Sequence, residues 1–466
     1  MFMNNPEFKR NVWLELSPQR LVLMPAVLCI IGLLSVYLSS KDSGISTTLG
    51  VFSTLGAGLA GLWGSVAVMH SINSEISDRT WDQQRLSVLS PWQMAWGKLL
   101  GASIYPWFGS LLCAVVVLIC SLFQAQTMQT IQLLLSTTLG IMSIHCWFMA
   151  MRLYTMNANT DIATVNSSRK TLGFLVLLYF LFVFGRIATM SILGMQEDTA
   201  GMKNWWGFSF CLPNFYLLMA CLSLGLGLLA LWRTMCKQLM VRTIPWAWAL
   251  GCLAVGLIMA GFVPATVTWH AWPQVCASLC LAATYFALFS EKNTRTVWQA
   301  ISFHTRRDAW RRMLQTLPLW PVSLILALML AIIYTLSGGA RHSDDIKHMS
   351  LFVSISTPGL LWMLLLHTLR NVGIFLFFAW RNTRRNPAGM TLLVYFLLSG
   401  VLPLFFLNDS HPLRAIFEPL YGVYNAGDNT GSETQFSLFS WICMVVHLII
   451  MAGLLVWRWQ QKTIDQ

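Results

Sequence analysis

The sequence predicts an all-α polytopic membrane protein of about twelve transmembrane helices, and three observations predict it. Charged residues make up only 10% of the 466 residues while 56% are hydrophobic, whereas an ordinary soluble domain carries about 25% charged residues. Apolar runs near the roughly 20 residues that a helix needs to cross a bilayer recur along the whole chain. The basic residues sit in the short stretches between those runs, crowded in every second one.

The spans fall, in order, near 21–40, 46–70, 99–123, 130–151, 171–193, 212–232, 245–264, 271–290, 316–337, 350–369, 389–408 and 437–457. The apolar run 371–380 either extends the tenth span or lies along the interface. With the N-terminus in the cytoplasm, the inner segments hold 23 of the 30 lysines and arginines. The outer loops hold five: Lys41, Lys203, Arg341, Lys347 and Arg414. Arg186 and Arg370 lie in or beside spans. Such a bias places both termini in the cytoplasm.

The net charge of +12 therefore speaks for membrane orientation and against nucleic acid. The 22 tryptophans suit bilayer interfaces, where the ring keeps one wet edge. Most of the eleven cysteines fall inside apolar segments and read as reduced packing residues; Cys276 and Cys280 share a helix face. The first apolar run lacks a small-residue cleavage pattern and reads as a retained anchor.

An internal duplication follows from ordered matches. Ser74-Glu75-x-x-x-Arg79-Thr80-Trp81 returns as Ser290-Glu291-x-x-x-Arg295-Thr296-Val297-Trp298, and Tyr179-Phe180-Leu181 as Tyr395-Phe396-Leu397, both 216 residues later. Arg152 matches Arg370, Arg169-Lys170 matches Arg384-Arg385, and Gly227–Arg233 resembles Gly453–Arg458. Two halves inserted with one orientation make a parallel repeat, an arrangement that surrounds a central pathway in many transporters. The expected organisation is a connecting helix over 1–20 and six-helix halves over 21–233 and 234–466.

The loop after the second span is the most informative segment. Glu75, Thr80, Leu86, Leu89, Ser90-Pro91 and Gly97-Lys98 run from a polar start through a short amphipathic stretch to a new span. In that order they resemble the cytoplasmic loop of ABC-2-type permeases, the membrane subunits of ABC exporters; Arg79 stands where that family has glycine. Asn5-Pro6-Glu7-Phe8-Lys9-Arg10 followed by Ser17-Pro18-Gln19-Arg20 resembles the family's connecting helix. Phe8, Val12, Trp13 and Leu16 share one face of it, as an interfacial helix requires. Segments 194–216, with Trp205 and Trp206, and 409–436 stand where the family has a partly re-entrant segment before the sixth span. The second loop lacks Ser-Pro and Gly-Lys and holds His304-Thr305-Arg306-Arg307 and Arg311-Arg312 instead.

The resemblance implies an export permease of a bacterial inner membrane that binds no cofactor and performs no ATP chemistry. No Gly-x-x-x-x-Gly-Lys-Ser/Thr phosphate loop occurs in the chain, so ATP and Mg belong to a separate ATPase subunit, expected in two copies; accessory membrane subunits are a further class of partner. On the resemblance, the ATPase-coupling residues are Glu75, Arg79, Thr80, Trp81, Ser90 and Pro91, with Glu291, Arg295 and Thr296 in the second half. Gly56, Gly58, Gly61 and Gly64 serve helix packing or the pathway wall. Arg186 either lines the pathway or snorkels to water. His342, Asp344, Asp345 and His348 read as loop solubility or a metal site, and no metal is expected.

Two rival classes remain. A secondary transporter driven by ions calls for relay acids or histidines inside the spans; no Asp or Glu lies inside any proposed span, and no relay of either kind is read there. A membrane-embedded polysaccharide or lipid transferase or polymerase calls for catalytic groups in an outer loop, and 409–436 holds Asp409, His411, Arg414, Glu418, Asp428 and Glu433.

Overall fold

The computed structural model describes residues 5–38, 44–78, 80–87, 89–124, 127–156, 202–263, 265–291, 293–337, 358–380, 387–401 and 438–461, with short pieces at 416–417, 419, 423–425 and 434–436. The chain is an all-α multi-pass membrane protein. Among the described residues nine helices are long and apolar enough to cross a bilayer. The fifth expected span, 171–193, lies outside the described residues.

Two compact units divide the chain: residues 1–203 with 209–242, and residues 204–208 with 243–466. The first unit begins with α1 (Pro6–Glu15) and α2 (Pro18–Leu38), then α3 (Gly44–Gly58), a π-helical turn (Leu59–Trp63) and α4 (Gly64–Ser77), which together form one continuous span. It continues with α5 (Trp81–Arg85), α6 (Pro91–Ala102), α7 (Ile104–Phe123) and α8 (Thr127–Met156). Two short paired strands, β1 (Met202–Trp205) and β2 (Phe208–Cys211), precede α9 (Leu212–Gln238).

The second unit holds α10 (Trp246–Ala260), α11 (Ala265–Ser290), α12 (Arg295–Arg306), α13 (Trp310–Thr316), α14 (Leu319–Leu336) and α15 (Pro358–Ala379). After these come α16 (Pro387–Tyr395) with a π-helical turn (Phe396–Val401), strands β3 (Val423–Asn425) and β4 (Thr434–Phe436), and α17 (Leu438–Gln460). β3 and β4 are antiparallel, with Tyr424 opposite Gln435.

The burial pattern is that of a protein whose solvent is lipid. Along α2 and α17 only 11% of the most apolar stretch is buried, and Leu33, Leu38, Leu438 and Ile449 stand outward. Covering such faces with water would be prohibitive for a folded chain, whereas lipid accepts them and asks only that the backbone be satisfied within the helix. Inside the first unit, α4, α6, α8 and α9 close over Val68, Ile72, Leu99, Met149, Leu153 and Leu231. Inside the second, α11, α14 and α15 close over Cys276, Cys280, Ala327, Leu330 and Leu361. All eleven cysteines are free.

Small and hydroxylated residues set the helix spacing. A Cβ on Gly56 would lie 3.1 Å from Cys113 of α7, and one on Gly64 2.8 Å from the ring of His145 in α8. Gly61 is looser, 3.8 Å from Ile141, and Gly58 meets nothing within 4 Å. Ser143 and Ser223 bridge α8 to α9 at 2.6 Å, and Thr284 and Ser323 bridge α11 to α14 at 2.9 Å. Hydrogen bonds of this kind join helices where lipid supplies no hydrophobic drive between them.

Several expectations shift. α10 spans 15 residues, about 22 Å at 1.5 Å per residue, so the seventh span is shorter than expected. Its last carbonyls take outside partners. The Trp205 and Trp206 indoles donate to the carbonyls of Ile258 at 3.2 Å and Leu257 at 3.1 Å, filling acceptors that a helix end leaves open. The run 371–380 does extend the tenth span, because α15 continues to Ala379 without a break. Arg370 therefore sits inside a helix rather than after one.

Candidate functional site

The densest polar site among the described residues is built from three elements of the first unit. α4 ends at Ser77, where the Thr80 amide and hydroxyl both turn back to the Glu75 carbonyl, at 3.0 and 3.2 Å. Glu75 thus occupies the last turn of the second span. α6 starts at a capping box: the Gln93 amide donates to the Ser90 hydroxyl at 3.3 Å, and the Ser90 amide to the Gln93 side chain at 3.0 Å. Pro91 at the first helical position is pre-set for the turn. The Ser-Pro step in the sequence is thus the start of α6, and it fixes where Lys98 points.

α1 lies against α6, and glycine decides how closely. Gly97 and Gly101 are one turn apart, facing Glu7 and Asn11, also one turn apart. A Cβ on Gly97 would stand 2.8 Å from the Glu7 Cβ, and one on Gly101 2.6 Å from the Asn11 Cβ; neither distance is tolerable, so only glycine permits this approach. Asn5 accepts from the Glu7 amide at 3.1 Å and donates to the Gln93 carbonyl at 2.6 Å, tying the starts of the two helices together. Asn11 donates to the Gly97 carbonyl at 3.4 Å.

At the centre is Lys98, 1% exposed. Its Nζ donates to both Glu75 oxygens at 2.6 and 2.5 Å and to Glu7 Oε1 at 2.9 Å, and lies 5.5 Å from the centre of the buried Trp81 ring. Arg10 reaches the same acids, 2.6 Å from Glu75 and 3.3 Å from Glu7. Two cations and two carboxylates balance in charge. Removing such ions from water costs several kcal/mol each, which only close pairing and saturated hydrogen bonds offset. The cluster joins the end of the second span, the first turns of the third and the N-terminal helix into one electrostatic unit.

Of the residues singled out from sequence, Glu75, Thr80, Trp81, Ser90 and Pro91 gather here, while Arg79 lies outside the described residues. Glu7, Arg10, Asn11 and Lys98 join them as site members that no local sequence motif marks as such. The available signal was a polar stripe on α1, Asn5, Glu7 and Asn11, opposite the apolar face. That polar face is buried against α6, and Trp13 on the other side is 80% exposed.

In the second unit the matching residues do other work. A Glu291 oxygen accepts the Leu319 amide at 2.7 Å, capping the start of α14. Arg295 donates to the carbonyls of Gln461 at 2.7 Å and Trp459 at 2.6 Å, closing the end of α17, and its guanidinium lies 5.3 Å from the Trp459 ring. Thr296 is exposed and shares a hydrogen bond with Thr294 at 2.8 Å.

The spans also carry histidines, whose partners the structure shows. His145 is fully buried, and its Nε2 hydrogen-bonds the Ala60 carbonyl at 2.9 Å, within the π-helical turn of the second span. In the second unit, Arg370 is 2% exposed. It meets Asn371 Oδ1 at 3.3 Å and His447 Nδ1 at 3.4 Å; Asn371 in turn donates to the Tyr285 hydroxyl at 2.9 Å. His367 and Tyr395 lie 3.3 Å apart beside them.

No family model, curated protein or solved structure matches the chain. The functional reading accordingly rests on residues and geometry. Arg186, the quartet His342, Asp344, Asp345 and His348, and most of the loop 409–436 lie outside the described residues. Among the described residues no three His, Cys, Asp or Glu side chains gather as metal ligands do.

Proposed function

We propose that the chain is the permease subunit of an ATP-driven exporter of ABC-2 type. In this reading it spans a bacterial inner membrane twelve times as two parallel six-helix halves, with both termini in the cytoplasm. A separate ATPase grips the loop after the second span, and the pathway runs through the membrane-spanning helices. The buried cluster around Lys98 carries the reading. A partner pushing on the loop 78–90 displaces α4, α6 and α1 together, because shearing any one of them away strands a buried charge. That is the property a coupling element needs. The loop also presents apolar surface: Leu86 is 87% exposed, and Trp92, 40% exposed, stacks on Trp96 with ring centres 5.9 Å apart.

Two features support the repeat. In each unit the second span packs on the third and the fourth on the sixth: α3 on α7 and α8 on α9, then α11 on α14 and α15 on α17. A pair of short strands also stands before the sixth span of each, β1–β2 before α9 and β3–β4 before α17.

Co-purification from the native membrane in mild detergent tests the function. An ATP-binding cassette ATPase should accompany the intact chain and be lost from Leu86→Asp, which changes an exposed residue and leaves the buried cluster intact. If neither preparation, each eluting as a single folded species, brings an ATPase, the permease reading fails. The ion-coupled transporter then takes its place, favoured by the buried Arg370 and Asn371 beside His447.

A further inference from the structure

The helix pair α12–α13 of the second unit is the largest charged element that the proposed function does not use. In α12, Arg295, Gln299, Ser302 and Arg306 recur at helical spacing on one face, and Val297, Ala300, Ile301 and His304 on the other. None of its residues is buried, and none of α13's is. From 295 to 316 the chain carries Arg295, Arg306, Arg307, Arg311 and Arg312 against a single carboxylate, Asp308. Arg295 is engaged at the end of α17. The other four arginines are exposed, and among the described residues no ion pair joins them to an acid.

Both ends of the pair are tied to the membrane. α11 ends at Ser290 and α14 begins at Leu319, so four residues precede α12 and two follow α13. At about 3.5 Å per residue, the pair starts and finishes within about 18 Å of the span ends. Trp298 roots it to Trp320 at the start of α14, with ring centres 5.7 Å apart. Phe303 and Trp310 remain exposed, 49% and 57%, and the Arg307 guanidinium lies 4.4 Å from the centre of the Phe303 ring. Exposed aromatics beside unpaired arginines, held at the edge of the hydrocarbon, match a headgroup layer that is apolar below and anionic above.

We propose that α12–α13 is an interfacial element whose Arg306, Arg307, Arg311 and Arg312 bind the phosphates of anionic phospholipids in the adjoining leaflet. The planar guanidinium fork pairs with phosphate oxygens through two parallel hydrogen bonds. Lipid is the occupant because the element is anchored on both sides in the bilayer edge. The assignment stands whether or not the chain is an ABC-type permease.

The test counts lipid retained by the purified full-length chain from micelles offering equal phosphatidylglycerol and phosphatidylcholine. The intact chain should favour phosphatidylglycerol, on the order of fivefold if one arginine's worth of surface attraction survives extraction. R306Q/R307Q/R311Q/R312Q should lose that preference, and Lys9→Gln with Arg242→Gln should keep it. Should the quadruple variant not fold, the intact chain still decides. Its preference should fall steeply from about 0.1 M to about 1 M salt, as the screening length drops from about 10 to about 3 Å. Equal retention of both lipids by the intact chain, or a preference indifferent to salt, overturns the proposal. So does a quadruple variant that keeps its phosphatidylglycerol and sheds a co-purifying ATPase instead.

Discussion

Two loops that begin with the same residues end in opposite arrangements. After the second span, Ser74-Glu75 leads into a cluster where the acid is buried against Lys98 and Arg10. After α11, Ser290-Glu291 leads to a carboxylate that holds a helix start, and Arg306, Arg307, Arg311 and Arg312 further along are exposed. The difference traces to the residues opposite the acid. The first loop is followed by Gly97-Lys98, which supplies both a counter-ion and the space for α1 to deliver Glu7 and Arg10. The second lacks that Gly-Lys pair, and there a Glu291 oxygen accepts the amide of Leu319. A repeated motif thus keeps its place in the chain while its partners change its work.

The comparison breaks first at Lys98. Lys98→Met leaves Glu75 and Glu7 buried with only the half-exposed Arg10 between them, and should cost about 3–5 kcal/mol. Thermal unfolding in detergent reads this as a large drop in midpoint or loss of the folded species. A variant as stable as the parent would show that the cluster holds nothing together.

The next effect sharpens the role of space. Gly101→Val drives a side chain into Asn11 and should cost about 1–3 kcal/mol, raising protease cleavage after Lys9 and Arg10 as α1 lifts away. Gly140→Ala, at a site with nothing within 4 Å, is the control and should leave cleavage unchanged. Equal cleavage in both would mean that α1 does not depend on the glycine pair.

The smallest effects are expected in the second unit. Glu291→Ala and Arg295→Met each remove a contact at a helix end and should cost about 1 kcal/mol apiece. Faster amide exchange in the first turn of α14 for one, and in the last turn of α17 for the other, would locate the loss. If Glu291→Ala proved as damaging as Lys98→Met, the two acids would be doing equivalent work.

The site was partly legible in the sequence. Glu75, Thr80, Trp81, Ser90 and Pro91 carry local signals, a helix end and a helix start, and the structure brings them together. Lys98 and Glu7 were visible only as letters of a motif, because their contact joins residues 91 apart in the chain. Gly58 was grouped with its neighbours on spacing alone, although nothing packs on it. The histidines inside the spans were in plain sight, yet their burial and partners were not.

By itself the sequence determined the class of the protein. Apolar length and the scarcity of charge settle that helices cross a membrane, since each depends only on composition within one segment. The placement of charge was decided by the tertiary structure. Lys98 is neutralised by an acid on α1 and another on α4, Arg370 is held inside α15 against α17, and Arg295 closes the end of a helix that finishes 165 residues later. A charge in a low-dielectric setting is tolerable only beside its partner, and which partner comes near depends on how separate helices pack.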